Sequence, residues 1–122
     1  MGKKKKFLFL FRKAPHGTLS IQEGLEAARS FCSLQLEVTL LFLDDAVFCL
    51  KKGQNTSELG TRDITAIYDM LLNQNGVKKI CVKRKSMEHR GLTLEDLILD
   101  VDMLSESELI ACMEDQDVIL PF

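Results

Sequence analysis

The sequence has no tryptophan, only two prolines and two histidines, and four cysteines with no CxxC pair among them. With His16 and His89 as the sole imidazoles and Cys32, Cys49, Cys81 and Cys112 far apart, zinc-type ligand spacing is absent, so no metal is expected. Neither GxGxxG nor GxxxxGK[ST] occurs, which removes the usual dinucleotide and P-loop signatures. No cofactor is implied. Long apolar runs are also missing: nothing approaches the roughly 20 residues that span a bilayer. The run Phe7–Phe11 is shorter than a secretory core of roughly 7–15 residues, and Arg12 and Lys13 end it. A cytoplasmic chain that avoids membranes is therefore expected, with four reduced thiols. Charge of one sign is lacking as well. The net charge is −2, and the isoelectric point near 5.7 gives no reason to expect nucleic acid as a partner. The one basic run, Lys3–Lys6, reads as a solvated lead-in that discourages edge pairing ahead of the first strand.

What is present suits one domain over residues 1–122. Hydrophobic residues make up 46% of the chain and charged residues 28%, enough for both a core and a wetted surface. A chain of this length buries roughly two-thirds of its unfolded surface. Residues 6–11 (KFLFLF) are continuous and apolar, as in a strand covered on both faces. Pro15 ends it, and Ser20-Ile-Gln-Glu23 reads as a capping box before a helix whose buried stripe is Ile21, Leu25, Ala28 and Cys32. A second strand is expected over 37–43 and a short helical turn over 46–50. A loop should cover 51–60, and a helix should run over 63–73. A third strand follows over 77–83, then a brief turn over 86–90 ended by Gly91, with 93–97 ambiguous. A fourth strand is expected over 99–103. Ser105 and Glu108 form a second capping box, for a helix burying Leu109, Cys112 and Met113, and 118–122 is a terminal strand. Strands separated by helices read as βαβ units, so the fold class is α/β with one largely parallel sheet.

Ligands of open α/β sheets sit beyond the carboxyl ends of the strands. That rule selects the loops over 14–20, 44–46 and 81–90. Their polar content is Pro15, His16, Thr18, Asp44, Asp45, Cys81, Lys83, Arg84, Ser86 and His89. Cys81 is the thiol of most interest. Strand alternation places Lys79, Cys81 and Lys83 on one face, and nearby cations favour the reactive thiolate. Burial acts in the opposite sense, and a structural cysteine is the simpler reading. Cys32, Cys112 and Cys49 read as core residues, and His16 as an exposed turn residue. Asp44-Asp45 after a strand raises a phosphoacceptor site, but the last strand ends in Leu120-Pro121-Phe122 with no lysine, which removes that reading.

The ordered set of segments resembles the DsrE/DsrF family of sulfur-relay proteins, and most nearly its DsrF/TusC branch. The segments are 12–18 (RKAPHGT), 23–27 (EGLEA), 44–48 (DDAVF), Gly53-Gln54 and Arg62-Asp63. Residues 86–92 (SMEHRGL) and 117–122 (DVILPF) complete it. The resemblance spans essentially the whole chain. It implies a three-layer α/β/α sandwich with about five strands. It also implies assembly as a homo-oligomer, trimer or hexamer, or as a hetero-oligomer with DsrE-like and DsrH-like chains. A DsrE-like subunit of such complexes carries sulfur as a cysteine persulfide and hands it to a small acceptor protein. The nearest branch usually supplies a companion subunit. Counted back from Arg90-Gly91, the family's loop cysteine falls on Lys83, two residues beyond Cys81. Pro121 stands where the branch tends to have a charged residue.

The expectation is thus a DsrF/TusC-like relay subunit, with possible persulfide transferase activity through Cys81 and with Lys83, Arg84 and His16 stabilising its anion. Pro15, Gly17, Thr18, Asp44, Asp45 and Ser86 are loop or interface positions. Two alternatives stand beside it. One is a non-catalytic interaction subunit without a carrier thiol; the other is a small-anion or nucleotide-binding protein using His16, Gly17 and Thr18.

Overall fold

Alternate residues of each central strand enter different layers, which is why these segments carry no polar–apolar alternation. The computed structural model describes residues 5–13, 20–51 and 77–122. Strand β1 (Lys6–Phe11) lies between β2 (Glu37–Phe42) and β5 (Val118–Pro121). On the other side of β2 come β3 (Lys79–Lys83) and then β4 (Asp102–Leu104). Every ladder is parallel, with Leu8 opposite Thr39, Leu41 opposite Cys81 and Cys81 opposite Asp102. The chain steps in one direction from β1 through β4 and then returns across the sheet to β5. Right-handed crossovers put the first connections on one face and the return on the other.

Helix α1 (Ser20–Ser33), a 3-10 turn (Asp44–Leu50) and helix α2 (Arg84–His89) cover the first face. They bury Phe9, Phe11, Leu40, Phe42, Ile80 and Val82 beneath Leu25, Ala28, Val47 and Met87. Helix α3 (Glu106–Glu114) covers the second face, over Leu8, Leu10, Leu41, Leu43, Cys81 and Leu104. The result is the α/β/α sandwich that the family resemblance implied, built on the parallel sheet read from the alternation of strands and helices.

The expected helical stripe of α1 is buried at Ile21, Leu25, Ala28 and Cys32. Gly24 lies on the same side, where a Cβ would run into Phe11 and reach within 3.0 Å of Phe122 Cγ. Phe122 stacks on Phe9 and Phe11, and its N–H donates to the Leu10 carbonyl at 2.8 Å. The Ser105–Glu108 capping box of α3 forms as read, with both reciprocal bonds present.

Several boundaries differ from expectation. The ambiguous 93–97 segment is a short 3-10 turn, Leu94–Asp96, closed by a Thr93–Asp96 capping box. The fourth strand covers only Asp102–Leu104, because Leu99 and Val101 pack into the first-face core instead of extending the ladder. The basic lead-in guards no sheet edge: β1 is interior, and Lys6 pairs with Asp115 at 3.0 Å while its N–H donates to Asp117 at 2.7 Å. The loop over 51–60, beyond Lys51, and the helix over 63–73 lie outside the described residues.

Candidate functional site

Cys81 occupies the middle of β3, with no exposed surface, in the second-face core beside Leu8, Leu41 and Leu109. The predicted face is present: Lys79 lines a cleft with α3 residues, and Lys83 reaches Glu106 of α3 at 3.5 Å. The cations do not act as expected, however. Desolvation dominates and pushes the Cys81 thiol up to about 12, Cys112 adds to the rise, and Lys79 alone among the cations opposes it. Lys83 is committed to Glu106, and Arg84 lies toward Glu108, whose carboxyl is held below its usual range first by the Ser105 hydrogen bonds and only then by the Arg84 charge. Cys49 is held in the same protonated state by burial, also near 12, and its thiol donates to the Lys13 carbonyl.

At the carboxyl ends of the strands, the 3-10 turn that starts at Asp44 meets helix α2 at Ser86. Asp44 adopts a left-handed backbone, φ 51°, and its N–H donates to the buried Ser86 hydroxyl at 3.0 Å. Asp45 pairs with Arg90 at 3.0 Å, and Arg90 also donates to the Ser86 carbonyl. Asp44 and Asp45 are thus organised as a loop lock between the 3-10 turn and α2. Pro15, His16, Gly17 and Thr18 lie outside the described residues. Of the polar candidates, the structure brings together Asp44, Asp45 and Ser86 in one cluster. It leaves Cys81 apart, on the other face of the sheet.

The amino ends of the strands hold a feature the sequence reading passed over. A cleft of about 500 Å³ opens between the starts of β1, β2 and β3 and the carboxyl half of α3. Lys6, Lys79, buried Thr39, Cys112 and Gln116 line it. Cys112 was expected in the core; it is half-buried and walls this cleft, because α3 buries only Leu109 fully. Gln116 Nε2 donates to the Cys112 carbonyl, while its buried Oε1 has no partner among the described residues. A parallel sheet gathers every strand start at one end, so Lys6 and Lys79, each opening a strand, carried the signal that this end exists.

Three comparisons bear on this architecture. The model of the DsrE/DsrF-like family matches residues 5–122. The "Intracellular sulfur oxidation protein DsrF" of Allochromatium vinosum is 42% identical over 106 residues, covering 85% of this chain and 77% of that one. A "Protein TusC homolog" of Vibrio vulnificus is 28% identical over 114 residues, 93% of this chain and 96% of its own. Among solved structures, the ychN protein of E. coli superposes with a TM-score of 0.83 at 25% identity, over 97% of this chain and 99% of that one.

Proposed function

Because this chain belongs to the DsrE/DsrF-like family, we propose that it is a subunit of an intracellular sulfur-relay system, serving as a companion that builds the assembly rather than as the sulfur carrier. The relatives named for sulfur oxidation and for TusC support the relay role. The companion role rests on one observation: Cys81 is fully buried, with its thiol pushed up to about 12. Burial holds such a thiol protonated at neutral pH, and the thiolate is the form that attacks sulfur. Its protein partners, in this reading, are copies of itself in a trimer or hexamer, or DsrE-like and DsrH-like chains, with a small acceptor protein served by a neighbouring subunit. The compartment is the cytoplasm. No helix among the described residues is long and apolar enough to cross a membrane.

A second reading keeps Cys81 as a persulfide carrier, favoured by the shared face of Lys79, Cys81 and Lys83 under α3. It requires α3 to lift. Incubation with a persulfide donor, alone and with DsrE-like and DsrH-like chains, followed by peptide-level mass spectrometry, separates the two. Companion function predicts light-scattering masses above the 13.8 kDa monomer and no added sulfur on the Cys81 peptide. Sulfur on that peptide, lost in Cys81→Ser, would overturn it in favour of the carrier reading. A strict monomer that binds neither itself nor those chains would overturn the companion role outright.

A further inference from the structure

Among the described residues β4 ends the sheet, and its outer margin carries charge and apolar surface that the fold leaves unused. A groove of about 550 Å³ opens there between α2, β4 and the 3-10 turn Leu94–Asp96. Met87 and Leu92 are buried along it, Met103 is half-buried, and Leu94 is 49% exposed. Glu88 and Glu95 also line it, and an adjoining hollow that shares Leu94 and Glu95 adds Asp100. These three carboxylates are exposed and have no ion pair among the described residues, against the single cation Arg84 in the groove wall. By contrast Glu37, Asp45, Glu106 and Asp115 are paired with Lys78, Arg90, Lys83 and Lys6. The basic counterpart is the run Lys3–Lys6 ahead of β1. Lys6 is tied to Asp115 and, through its N–H, to Asp117 just before β5, at the opposite edge of the sheet from β4. The run therefore begins away from its own groove, with β2 and β3 in between. Lys5 is exposed, lies over its own Phe7 ring at 5.9 Å and has no ion pair among the described residues.

We infer that the β4 margin of one copy of this chain receives the lysine run of a second copy, Lys3, Lys4 and Lys5 meeting Glu88, Glu95 and Asp100. Lysine suits a groove that is apolar within and acidic around. Its methylene stem covers apolar surface such as Leu94 and Met103, while its ammonium group stays at the wet, charged rim. Pairing of β4 with the β4 of another copy is disfavoured, because it sets these carboxylates and the exposed Asp102 against their own kind. The contact joins two different patches, so it is heterologous and repeats from copy to copy into a ring or an open chain. It rests on the companion reading above and names one surface through which the copies join.

The test is light scattering on the full chain over a concentration series, at low and at high ionic strength, beside three charge variants. One carries Lys3→Glu, Lys4→Glu and Lys5→Glu; another carries Glu88→Lys, Glu95→Lys and Asp100→Lys; the third carries all six. Lys5, Glu88, Glu95 and Asp100 are exposed, so their reversal leaves the core intact. The wild type should exceed the 13.8 kDa monomer mass and fall toward it as salt is added. Each triple variant should need at least about tenfold more protein to associate, because three exposed ion pairs become repulsive. The sextuple variant restores opposite charges across the contact and should recover wild-type association. Loss in both triple variants without that recovery would overturn the pairing. An assembly that neither triple variant weakens would overturn the contact and leave the companion reading standing on another surface. A wild type that is monomeric alone, yet binds DsrE-like or DsrH-like chains, would also overturn the contact without touching that reading.

Discussion

Single residues decide how closely the layers approach. Gly24 sits where α1 meets Phe11 and the terminal Phe122, and it has no space for a methyl group. Alanine there gains about 1 kcal/mol of helix propensity. Forcing two stacked rings apart costs about 1–3 kcal/mol. Overpacking should win, and Gly24→Ala is expected to lower the chemical-denaturation midpoint; an unchanged or raised midpoint would show that the rings yield freely. The two deeply buried thiols act through pH. Both Cys49 and Cys81 are raised from 9.0 to about 12, so the folded state holds their protons more tightly than the unfolded chain does. Their contribution is fully present below about pH 9 and is lost as pH climbs toward 12. The melting temperature of the wild type should therefore fall between pH 9 and 11 more steeply than that of the Cys49→Ala, Cys81→Ala double variant. Parallel slopes would contradict it.

At the scale of elements, caps and strand interiors were legible, while strand ends were not. The Ser105 capping box could be read because its chemistry is local: two side chains and two backbone groups within four residues. Residues 6–11 could be read as a doubly covered strand because both faces demanded apolar side chains. The fourth strand misled because Leu99 and Val101 are apolar for a different reason, packing against the first-face core from outside the ladder. Tertiary context set that boundary, and no short window contains it. The Asp44–Ser86 contact was equally hidden, since it spans 42 residues. It is a sensitive joint. Removing the buried Ser86 hydroxyl leaves the Asp44 N–H without its acceptor, in a backbone already left-handed at φ 51°. Ser86→Ala is expected to cost about 1–2 kcal/mol, and Ser86→Thr, which keeps the hydroxyl, should recover part of it. Denaturant titration of the three proteins checks this. Equal stability of Ser86→Ala and the wild type would show that water replaces the bond.

For the whole molecule, the class of fold and the family followed from the order of segments, but the asymmetry of the sandwich did not. Periodicity reports that a residue is buried, not which layer buries it, so nothing in it placed Cys81 and Cys49 on opposite sides of the sheet. Among the described residues, the first-face core holds 19 buried side chains and the second only 7. The second is closed by α3, a helix of 9 residues that buries Leu109 alone. Less apolar area removed from water means a lower free energy of local opening, so α3 should lift well before α1 does. That difference sets how a reagent reaches each buried thiol. Cys81 becomes accessible when α3 lifts, whereas Cys49, under the first-face layer and bonded to Lys13, waits for a larger opening. Truncating Leu109 should loosen only the first of these routes. Leu109→Ala is expected to speed alkylation of Cys81 by iodoacetamide by roughly 30- to 150-fold, the equivalent of about 2–3 kcal/mol of lost packing. Alkylation of Cys49 should change far less. Leu25→Ala, on the opposite face, should reverse that preference. If Leu109→Ala raised both rates equally, the sandwich would be opening as one unit, and no separate path to Cys81 would exist.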